Sequence, residues 1–324
     1  MKSAPLFSVG IVFHEQENML PRAISSLLQQ SFPHFELLLR DQSPSGSASE
    51  WLQKRIPKEM EDSRIRLFQG ENLFHSGGHN ALIHKMCGTA YCCASNDMEY
   101  DNRLLEVFAN SLQAHPEVDI FVPKLFRWEK GRIQKIDSCG IGLTKSNFFF
   151  DIGHEMPDSE QYNIQREVFG GSGALFCVRK DALESIRNGS EYFDELLHYK
   201  NDVDLMYRFQ WLGKKSLFLP EAIAWHARHA RKNGKKSVFI KESSLFGQIV
   251  LLRKHVWKKL PFSVQIFSGI RILLVLMVLL VTSPKILFRV FTVLKTKEKE
   301  IRKKTALISK TVPPEQICSF FERI

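Results

Sequence analysis

Residues 7–28, FSVGIVFHEQENMLPRAISSLL, combine two hydrophobic periodicities in one short segment. The mainly apolar run from Phe7 to Phe13 is typical of a parallel strand that is buried on both faces. Beyond the polar turn, apolar side chains recur at helical spacing and share one face: Leu20, Ala23, Ile24, Leu27 and Leu28. Strand, turn and helix in this order open a βαβ unit, so the segment predicts an α/β fold.

Three further strands are predicted from short apolar segments: Phe35 to Leu39, Ile65 to Phe68, and Tyr91 to Ala94. The first is followed by DQSPSG at residues 41–46, and the last by SNDME at residues 95–99. An alternating α/β sheet binds its ligand at the carboxyl ends of such strands. These two polar segments are therefore candidates for a binding site.

Each of the two segments contains one aspartate with two possible roles. Asp41 could accept hydrogen bonds from a nucleotide base or ribose, or it could simply form the turn in which it lies. Asp97 could hold a hard divalent cation that bridges to a diphosphate, or it could cap the helix that follows. The residues alone leave both alternatives open.

A pair of glycines occurs in SGGHN, residues 76–80, which we expect to precede a helical segment that continues to Met86. Gly77 and Gly78 would let the backbone approach a ligand closely, or would form a tight turn. The sequence has no GxxxxGK[ST] motif, and no GxGxxG follows the first strand. Nucleotide hydrolysis and dinucleotide redox chemistry therefore lack their usual signatures.

A second helix with acidic residues at its start is predicted within FDELLHYKNDVDLMYR, residues 193–208. Apolar residues recur at helical spacing and Gly213 offers a stop: Val203, Leu205, Met206, Phe209 and Leu212. Asn201 or Asp202 then falls at or near the N-cap. Asp202 could serve chemistry or merely cap the helix, and Asp204 could complement the helix dipole.

Charge divides the chain, whose net charge is +10, into two unlike parts. From Arg228 onward there are 21 Lys and Arg against 5 Asp and Glu, so this part carries +16 and the first 227 residues carry −6. A basic segment can meet nucleic acid or an anionic membrane surface. The apolar run beyond residue 261 favours the membrane, and we expect no nucleic-acid partner.

The C-terminal part is predicted to contain an amphipathic helix from Ser237 to Lys259, followed by the apolar stretch Phe262 to Leu294. Arg271 and Pro284 interrupt this stretch, which favours an interfacial helical hairpin over one membrane span. The basic residues 231–236, which precede both segments, could close over the phosphates of a ligand or remain solvated. We therefore expect a catalytic domain at residues 1–236 and a membrane-associating region at residues 237–324.

The six cysteines include no CxxC pair, so neither a zinc site nor a disulfide framework is predicted. The apolar run at the N-terminus is too short for a signal peptide or a spanning anchor. A reducing cytosol fits both observations. We expect a cytoplasmic protein at the inner face of the plasma membrane.

Taken in order, six segments resemble those of family 2 glycosyltransferases, and most closely the rhamnosyltransferase-like branch of bacterial polysaccharide assembly. They cover roughly residues 8–226 and read QQSF, LLLRDQS, GENLFHSGGHN, CCASNDM, FGGSGALFCVRKDAL and FDELLHYKNDVDLMYRFQWLG. The resemblance implies a Rossmann-like, nucleotide-sugar-binding fold of GT-A type. Its mostly parallel mixed sheet would be flanked by helices, with the C-terminal helical extension at the membrane.

The resemblance also implies roles for the residues on the donor side. Asp41 matches the acidic residue that contacts the base and ribose, and Asp97 matches the last, metal-binding position of the DxD motif, whose first position here is Ser95. His226 matches a histidine that completes the metal site in some members. The implied cofactor is Mg²⁺ or Mn²⁺. Other motif residues on the donor side are Gly77, Gly78, Asn80 and Asn96.

For the acceptor side, Asp202 matches the general base of the ED motif, and Asn201 replaces the Glu that precedes it. Gly171, Ser172 and Asp204 are the other residues that the resemblance places there. The implied activity is inverting transfer from a nucleoside-diphosphate sugar, with dTDP-rhamnose among the candidate donors. The acceptor would be a saccharide or lipid-linked saccharide of a cell-surface polysaccharide. The alternatives are a nucleotidyltransferase and a non-catalytic nucleotide-sugar-binding membrane scaffold.

Overall fold

The computed structural model describes residues 5–15, 18–129, 131–228 and 237–321. Within these residues, twelve strands run as follows: β1 Phe7–Phe13, β2 Phe35–Asp41, β3 Ile65–Gln69, β4 Ala90–Ala94, β5 Met98–Tyr100, β6 Ile120–Trp128, β7 Arg132–Ser138, β8 Ile141–Leu143, β9 Phe149–Asp151, β10 Arg166–Glu167, β11 Leu175–Arg179 and β12 Ser216–His226. Twelve α-helices accompany them: α1 Leu20–Leu28, α2 Ser47–Arg55, α3 Pro57–Met60, α4 Phe74–Ile83, α5 Leu104–Ala114, α6 Lys180–Ile186, α7 Asn201–Trp211, α8 Val238–Leu251, α9 Phe262–Thr282, α10 Pro284–Thr296, α11 Glu298–Ala306 and α12 Pro314–Cys318. A π-helical segment, Leu252–Val256, continues α8.

Ten of the strands form one mixed sheet in the order β10-β12-β6-β11-β4-β1-β2-β3, with β5 added beside β12 and β7 beside β6. Strands β3, β2, β1 and β4 run parallel, whereas β11 is antiparallel to both β4 and β6. The sheet confirms the predicted α/β fold class. Because β1, β2 and β4 are parallel, the loops that follow them share one edge of the sheet, where ligands bind in such folds.

The opening segment folds as its periodicities predict. In β1 every residue except Val12 is buried, and in α1 the apolar face of Leu20, Ala23, Ile24 and Leu27 is buried as well. Pro21 lies in the first turn of α1, where its missing N–H removes no helical hydrogen bond. This strand and helix form part of the core on one side of the sheet.

The SGGHN segment does not precede its helix, contrary to the prediction, because α4 already begins at Phe74 and ends at Ile83. A Cβ atom at Gly78 would lie 2.6 Å from Cγ1 of Val12, so a side chain there would clash with β1. A Cβ atom at Gly77 would lie equally close to Cβ of Leu73, at 2.6 Å. The two glycines therefore serve close packing inside a helix and do not form a turn.

Helix α7 matches its prediction to within one residue. It starts at Asn201, with Lys200 as the N-cap residue in the left-handed conformation at φ 66°. Gly213 follows the helix at φ 70°, a conformation that glycine adopts without steric cost. Asp202 and Asp204 both lie in the first turn.

The C-terminal helices pack against the same side of the sheet as α7 and share its hydrophobic core. The ring of Phe320 lies 5.9 Å from that of Phe169, and the imidazole of His255 stacks on Tyr207 at 4.5 Å. The division of the chain at residue 236 stays a prediction, and the basic residues 231–236 lie outside the described part of the structure.

The apolar stretch forms two helices, α9 and α10, which meet at Ser283. Of the helices in the described residues, α9 alone is long and apolar enough to cross a membrane, with a mean hydropathy of 2.5. Only 11% of that helical window is buried. Most of its apolar surface therefore faces outward.

Candidate active site

A cleft of about 570 Å³ opens at the carboxyl ends of the central strands. It is lined by the turn after β4, the loop before β11, the loop that enters α7, the end of β12, and part of β9. The structure brings five of the predicted site residues together in this cleft: Asn96, Asp97, Ser172, Asp202 and His226.

On the donor side of the cleft, Asp97 follows the buried strand β4. The hydroxyl of Ser95 donates to Oδ1 of Asp97 at 2.6 Å, so the serine at the first position of the motif orients the carboxylate. Nε2 of His226 lies 3.2 Å from the same oxygen. Nδ1 of His226 is 2.8 Å from Oδ2 of Asp137, a buried residue at the end of β7.

Opposite charges dominate this side of the cleft. Burial would raise the pKa of Asp137, but the hydrogen bond from His226 and the charge of Arg228 lower it to about 2. Burial would lower the pKa of His226, but Asp97 and Asp137 raise it to about 9. Arg228 donates to both Asp137 and Asp151, at 2.6 and 2.5 Å. The donor side therefore holds fixed charges of both signs.

Asp97 and His226 also fit the requirements of a divalent cation. Ligand atoms in adjacent positions of an octahedral site with bonds of about 2.1 Å lie roughly 3 Å apart. Oδ1 of Asp97 and Nε2 of His226 have a matching separation of 3.2 Å. A metal-bound imidazole commonly donates its second N–H to a carboxylate, which is the position that Asp137 occupies beside His226.

On the other side of the cleft, the half-buried Asp202 is held by the backbone. Its Oδ2 accepts from the N–H of Gly173 at 2.8 Å, and its Oδ1 accepts from the N–H of Val203 at 2.8 Å. An ionised carboxylate can accept about four hydrogen bonds. Asp202 is thus oriented while it keeps lone pairs for a ligand in the cleft.

Asp41 does not face the cleft. It is fully buried, and its two oxygens accept four hydrogen bonds from the backbone and hydroxyl groups of Ser43 and Ser49, at 2.5 to 2.8 Å. Burial raises the pKa of Asp41, but these hydrogen bonds outweigh it and lower the pKa. The structure therefore supports the turn-forming role of Asp41 over contact with a nucleotide.

Gly77, Gly78 and Asn80 are also absent from the residues that line the cleft. Asn80 is buried in α4, where its Oδ1 accepts from the N–H groups of Tyr192 and Phe193 and its amide donates to the carbonyl of Phe193. The predicted donor contacts of these three residues are corrected to structural roles. Asn80 holds the segment that leads into α7.

Asp204 does not belong to the acceptor side. It is fully buried on the opposite face of α7, where it pairs with Lys254 at 2.5 Å, His255 at 2.9 Å and Arg208 at 2.9 Å. Gly171 is buried as well, and a Cβ atom there would lie 2.7 Å from Cβ of Phe176. Of the predicted acceptor-side residues, Ser172 lines the cleft together with its neighbour Gly173.

Sequence patterns gave no prediction for three residues that line the cleft, His75, Asp151 and Arg228, or for the buried Asp137 behind His226. Arg228 lies two residues beyond His226, so its proximity to the predicted metal ligand was a usable signal. Asp137 and Asp151 lie 91 and 77 residues from Arg228 in sequence and carry no motif. His75 lies 126 residues from Asn201, to which it is hydrogen-bonded.

The mixed α/β sheet and its cleft, with a carboxylate after a central strand and another at a helix start, define a GT-A-like fold. Solved glycosyltransferases share this fold. A structure of GalNAc-T7 with UDP, GalNAc and Mn²⁺ has a TM-score of 0.61 and 16% identity, over 78% of this chain and 48% of that one. S. aureus TarS has a TM-score of 0.51 and 15% identity, over 76% of this chain and 39% of that one.

A structure of residues 1–349 of S. aureus TarS with UDP-GlcNAc gives a TM-score of 0.52 and 15% identity, over 76% of this chain and 66% of that one. The chain thus spans less than two thirds of each of these relatives. A comparison with curated proteins gives no match. Residues 8–187, more than half of the 324, match Glycosyl transferase family 2. The chain belongs to this family.

Proposed function

We propose that the protein transfers a sugar from a nucleoside-diphosphate sugar to an acceptor hydroxyl with inversion at the anomeric carbon, and that Asp202 is the general base. The observation that carries the proposal is that Asp202 and the pair Asp97 and His226 line one cleft. A single displacement needs a proton acceptor at one end of the reacting centre and charge stabilisation at the other.

At the acceptor end, Asp202 takes the proton from the attacking hydroxyl. Its two backbone hydrogen bonds, from Gly173 and Val203, fix the carboxylate without using all its lone pairs. Ser172 and Gly173 line the cleft beside it and leave room for an acceptor sugar. The geometry thus allows the hydroxyl to bind within hydrogen-bond reach of the base.

At the donor end, the leaving nucleoside diphosphate gains negative charge as the glycosidic bond breaks. Arg228 lines this part of the cleft and places positive charge there. His226 adds a second positive charge only while no metal is bound, because Asp97 and Asp137 then raise its pKa to about 9, and it must lose the Nε2 proton to hold a cation. Asp97 and His226 would hold Mg²⁺ or Mn²⁺, which supplies Lewis-acid stabilisation of the diphosphate when bound. Asp137 orients His226 and balances its charge.

The donor is a nucleoside-diphosphate sugar, for which the relatives offer UDP-GlcNAc and the rhamnosyltransferase-like resemblance offers dTDP-rhamnose. UDP is present in the GalNAc-T7 structure and UDP-GlcNAc in a TarS structure. We place the chain in cell-surface polysaccharide assembly, such as O-antigen, capsule or lipopolysaccharide.

The helical hairpin of α9 and α10 is proposed to lie in the cytoplasmic leaflet of the plasma membrane. Arg271, in the middle of α9, donates to the carbonyl groups of Ser146 and Asn147 at 2.9 and 3.2 Å, which ties one face of α9 to the rest of the protein. Apart from its buried residues Val264 and Ser268, α9 exposes a broad apolar surface: Ile266, Phe267, Ile270, Leu273, Leu274, Met277, Val278, Leu280 and Val281. This arrangement favours insertion of one face into an interface over a free span.

The acceptor is proposed to be a lipid-linked saccharide. Three aromatic rings lie at the mouth of the cleft, with Phe74 4.0 Å from His198 and 5.7 Å from Phe239. His198 lines the cleft, and α8, which carries Phe239, is joined to α10 by an ion pair of Glu242 with Arg289 at 3.0 Å. The rings therefore link the cleft, through His198, to α8, which contacts α10 of the proposed hairpin.

The catalytic proposal is tested by Asp202→Asn. Asparagine keeps the size of the side chain and can accept one of the two backbone hydrogen bonds, from Gly173 or Val203, but it cannot take a proton, so turnover should fall by about 100-fold or more. Donor binding should persist, because the base acts on the acceptor. Thermal shift with a panel that includes UDP-GlcNAc and dTDP-rhamnose selects the donor, and release of nucleoside diphosphate then measures turnover. Near-normal turnover in the variant would remove Asp202 from the mechanism.

Membrane binding is tested by Leu273→Glu and Val278→Glu, two changes on the exposed face of α9. We expect wild-type protein to float with vesicles of phosphatidylglycerol and phosphatidylcholine and to resist release by high salt, since apolar insertion is not screened. Each variant should lose most of this binding. Ile164→Glu is the matched control, because Ile164 is an equally exposed apolar residue outside the hairpin, at 61% against 60% for Val278. Full release of the wild type by salt would contradict apolar insertion.

A further inference from the structure

The residues beneath Asp202 form an uncharged hydrogen-bond network that starts at Asn201. Oδ1 of Asn201 accepts from the N–H of Asp202 at 2.9 Å, and its Nδ2 donates to Oγ of Ser76 at 2.8 Å. Ser76 donates its own hydroxyl proton to the carbonyl of Leu197 at 3.0 Å, so it is left to accept. These contacts fix the orientation of the Asn201 amide.

This orientation determines the tautomer of His75. Nδ2 of Asn201 lies 2.9 Å from Nδ1 of His75, and since Nδ2 is a donor, Nδ1 must be the acceptor. The ring proton therefore lies on Nε2, which faces the carbonyl of Gly173 at 3.3 Å. His75 thus links Asn201 to the loop that holds Asp202 from the other side.

The surroundings keep His75 uncharged. Burial lowers its pKa against the opposing charge of Asp202. The other titratable groups that face the ring are His79 on the same helix, whose ring centroid is 4.4 Å away, and Cys93 on β4, whose Sγ is 3.9 Å from Nε2. Burial lowers the pKa of His79 well below its usual value and raises the pKa of the Cys93 thiol well above its usual value.

Both sides of the base depend on this network. Asn201 accepts from the backbone N–H of Asp202, and Gly173, whose carbonyl accepts from His75, donates its own N–H to Oδ2 of Asp202 at 2.8 Å. An acid at position 201 would offer lone pairs to Nδ1 of His75 and favour the imidazolium form. A cation beside Asp202 would stabilise its ionised form and weaken it as a base.

We propose that Asn201 and His75 are a positioning pair for Asp202, in which the amide at position 201 keeps His75 in the neutral, Nε2-protonated form. The proposal rests on the proposed role of Asp202 as the base. It gives a physical reason for asparagine at the position where the family motif has Glu.

The same residues also resemble a metal site, because ligand atoms of His75, His79 and Cys93 lie within 4.8 Å of one another. Tetrahedral zinc with bonds of about 2.0 to 2.3 Å spaces its ligand atoms roughly 3.3 to 3.8 Å apart, and a nitrogen and a sulfur ligand about 3.5 Å apart. The separation of Cys93 Sγ from His75 Nε2 is wider, at 3.9 Å, and the proton on Nε2 occupies the lone pair that a metal would need. The neutral network therefore fits these residues better than zinc.

The pair of variants His75→Gln and His75→Leu tests the positioning role. The Gln side chain can accept from Asn201 through its oxygen and donate to Gly173 through its nitrogen, whereas Leu fills a similar volume without hydrogen bonds. We expect His75→Leu to lower kcat by about 10- to 100-fold, the scale of a misplaced catalytic group, and His75→Gln to recover most of that loss. Equal kcat in the two variants would overturn the proposal.

The variant Asn201→Asp tests the charge argument. We expect the pKa of His75 to rise, so that turnover is low near neutral pH and increases with pH as His75 loses its proton. The double variant Asn201→Asp with His75→Gln should lack this pH-dependent increase, because Gln does not titrate. A pH profile of Asn201→Asp that matches the double variant would contradict the charge argument.

A direct measurement uses ¹⁵N-labelled histidine in the full-length protein and needs neither donor nor acceptor. The imidazole shifts should report His75 as neutral and protonated on Nε2 at about pH 7.5. A proton on Nδ1, a charged ring, or stoichiometric zinc that is lost in Cys93→Ser would overturn the assignment. The two proposals can fail separately. If the tautomer is as proposed but Asp202→Asn transfers sugar normally, the role of Asp202 as the base is contradicted, whereas the hydrogen-bond network of Asn201 and His75 is not.

Discussion

Asp202 and Asp204 lie two residues apart on α7 and face different regions of the molecule. Asp202 faces the cleft, half-buried and held by backbone N–H groups, whereas Asp204 faces the C-terminal helices, fully buried among Lys254, His255 and Arg208. Both are acidic residues in the first turn of a helix, where the dipole favours negative charge. Their environments give one of them lone pairs for a ligand and commit the other to ion pairs.

The comparison shows how the C-terminal helices bear on the active site. Lys254 pairs with Asp194 at 2.6 Å as well as with Asp204, and Lys304 of α11 pairs with Asp194 at 2.7 Å. The helix that carries Asp202 is therefore fastened on its other face to the region that we propose for the membrane. A change in that region can reach the base through α7.

The largest effect is expected from Asp204→Asn, which removes the buried negative charge that pairs with Lys254, His255 and Arg208. Removing one partner of a buried ion pair costs about 3 to 5 kcal/mol, because the remaining charges stay buried without compensation. The free energy of unfolding, measured by urea denaturation, should fall by that amount. Lys297→Gln is the control, since its pair with Glu300 is exposed and is expected to cost less than about 1 kcal/mol.

In the variant Asp204→Asn, protein that remains folded should still bind donor, because Asp97 and His226 are untouched. Unchanged stability would show that Asp204 does not fasten α7 to the C-terminal helices. A selective rise in the KM for the acceptor at unchanged stability would return Asp204 to the acceptor side, where the family resemblance places it.

A somewhat smaller loss of stability is expected on acidification, because of His255, which contacts the buried Asp204. Burial lowers the pKa of His255 from 6.5 to about 4, so the folded protein keeps this ring neutral while the unfolded chain takes up a proton below pH 6.5. Stability from this group is thus fully present above pH 6.5 and decreases as the pH falls toward 4. The loss amounts to about 3 kcal/mol at the lower end.

The measurement compares urea unfolding of the wild type and of His255→Gln at several pH values between 7 and 4.5, a range set by the ordinary histidine pKa of about 6.5. Gln can still donate to Asp204 but does not titrate, so the variant should lose less stability on acidification. Because other histidines contribute equally to both proteins, the difference between the two curves isolates His255. Parallel curves would mean that His255 does not stay neutral in the fold.

Much of the fold follows from periodicity, but some local features do not. The apolar run of β1 and the one-sided helix α1 leave few alternatives, whereas Gly77 and Gly78 are equally suited to a turn and to a helix packed closely on a strand. Only the position of Val12 on the neighbouring strand, 2.6 Å from a Cβ at Gly78, decides between them. That contact joins residues 66 positions apart in sequence.

In the candidate site, too, some residues follow from sequence patterns and others depend on tertiary packing. The order of the motifs leads to Asp97, Asp202 and His226, because each follows a strand or starts a helix. It also led to Asp41 and Asp204, whose burial depends on partners that the motif segments do not contain: Ser49, Lys254 and His255. A motif records residue type and spacing, but the direction of a side chain is set by tertiary packing.

The smallest effect is expected at Gly173, which adjoins Asp202 on the cleft side of the comparison. A Cβ atom at Gly173 would lie 3.4 Å from Cβ and Oδ2 of Asp202, an ordinary contact, and the N–H that holds the carboxylate would remain. Gly173→Ala should therefore fold normally and bind donor normally. The added methyl group would take space beside the base where the acceptor hydroxyl must lie. The acceptor KM should therefore rise roughly fivefold, which corresponds to a loss of about 1 kcal/mol of binding free energy.

The contrast for Gly173→Ala is Gly171→Ala, two residues earlier in the same loop. A Cβ atom at Gly171 would lie 2.7 Å from Cβ of Phe176, inside the core, so this variant should lose stability without a selective change in acceptor KM. Steady-state kinetics with varied acceptor, together with thermal melts of both proteins, separate the two outcomes. If Gly173→Ala is stable and its acceptor KM is unchanged, the acceptor hydroxyl does not bind beside Gly173, and the side of Asp202 that faces this loop is not the side on which it takes the proton.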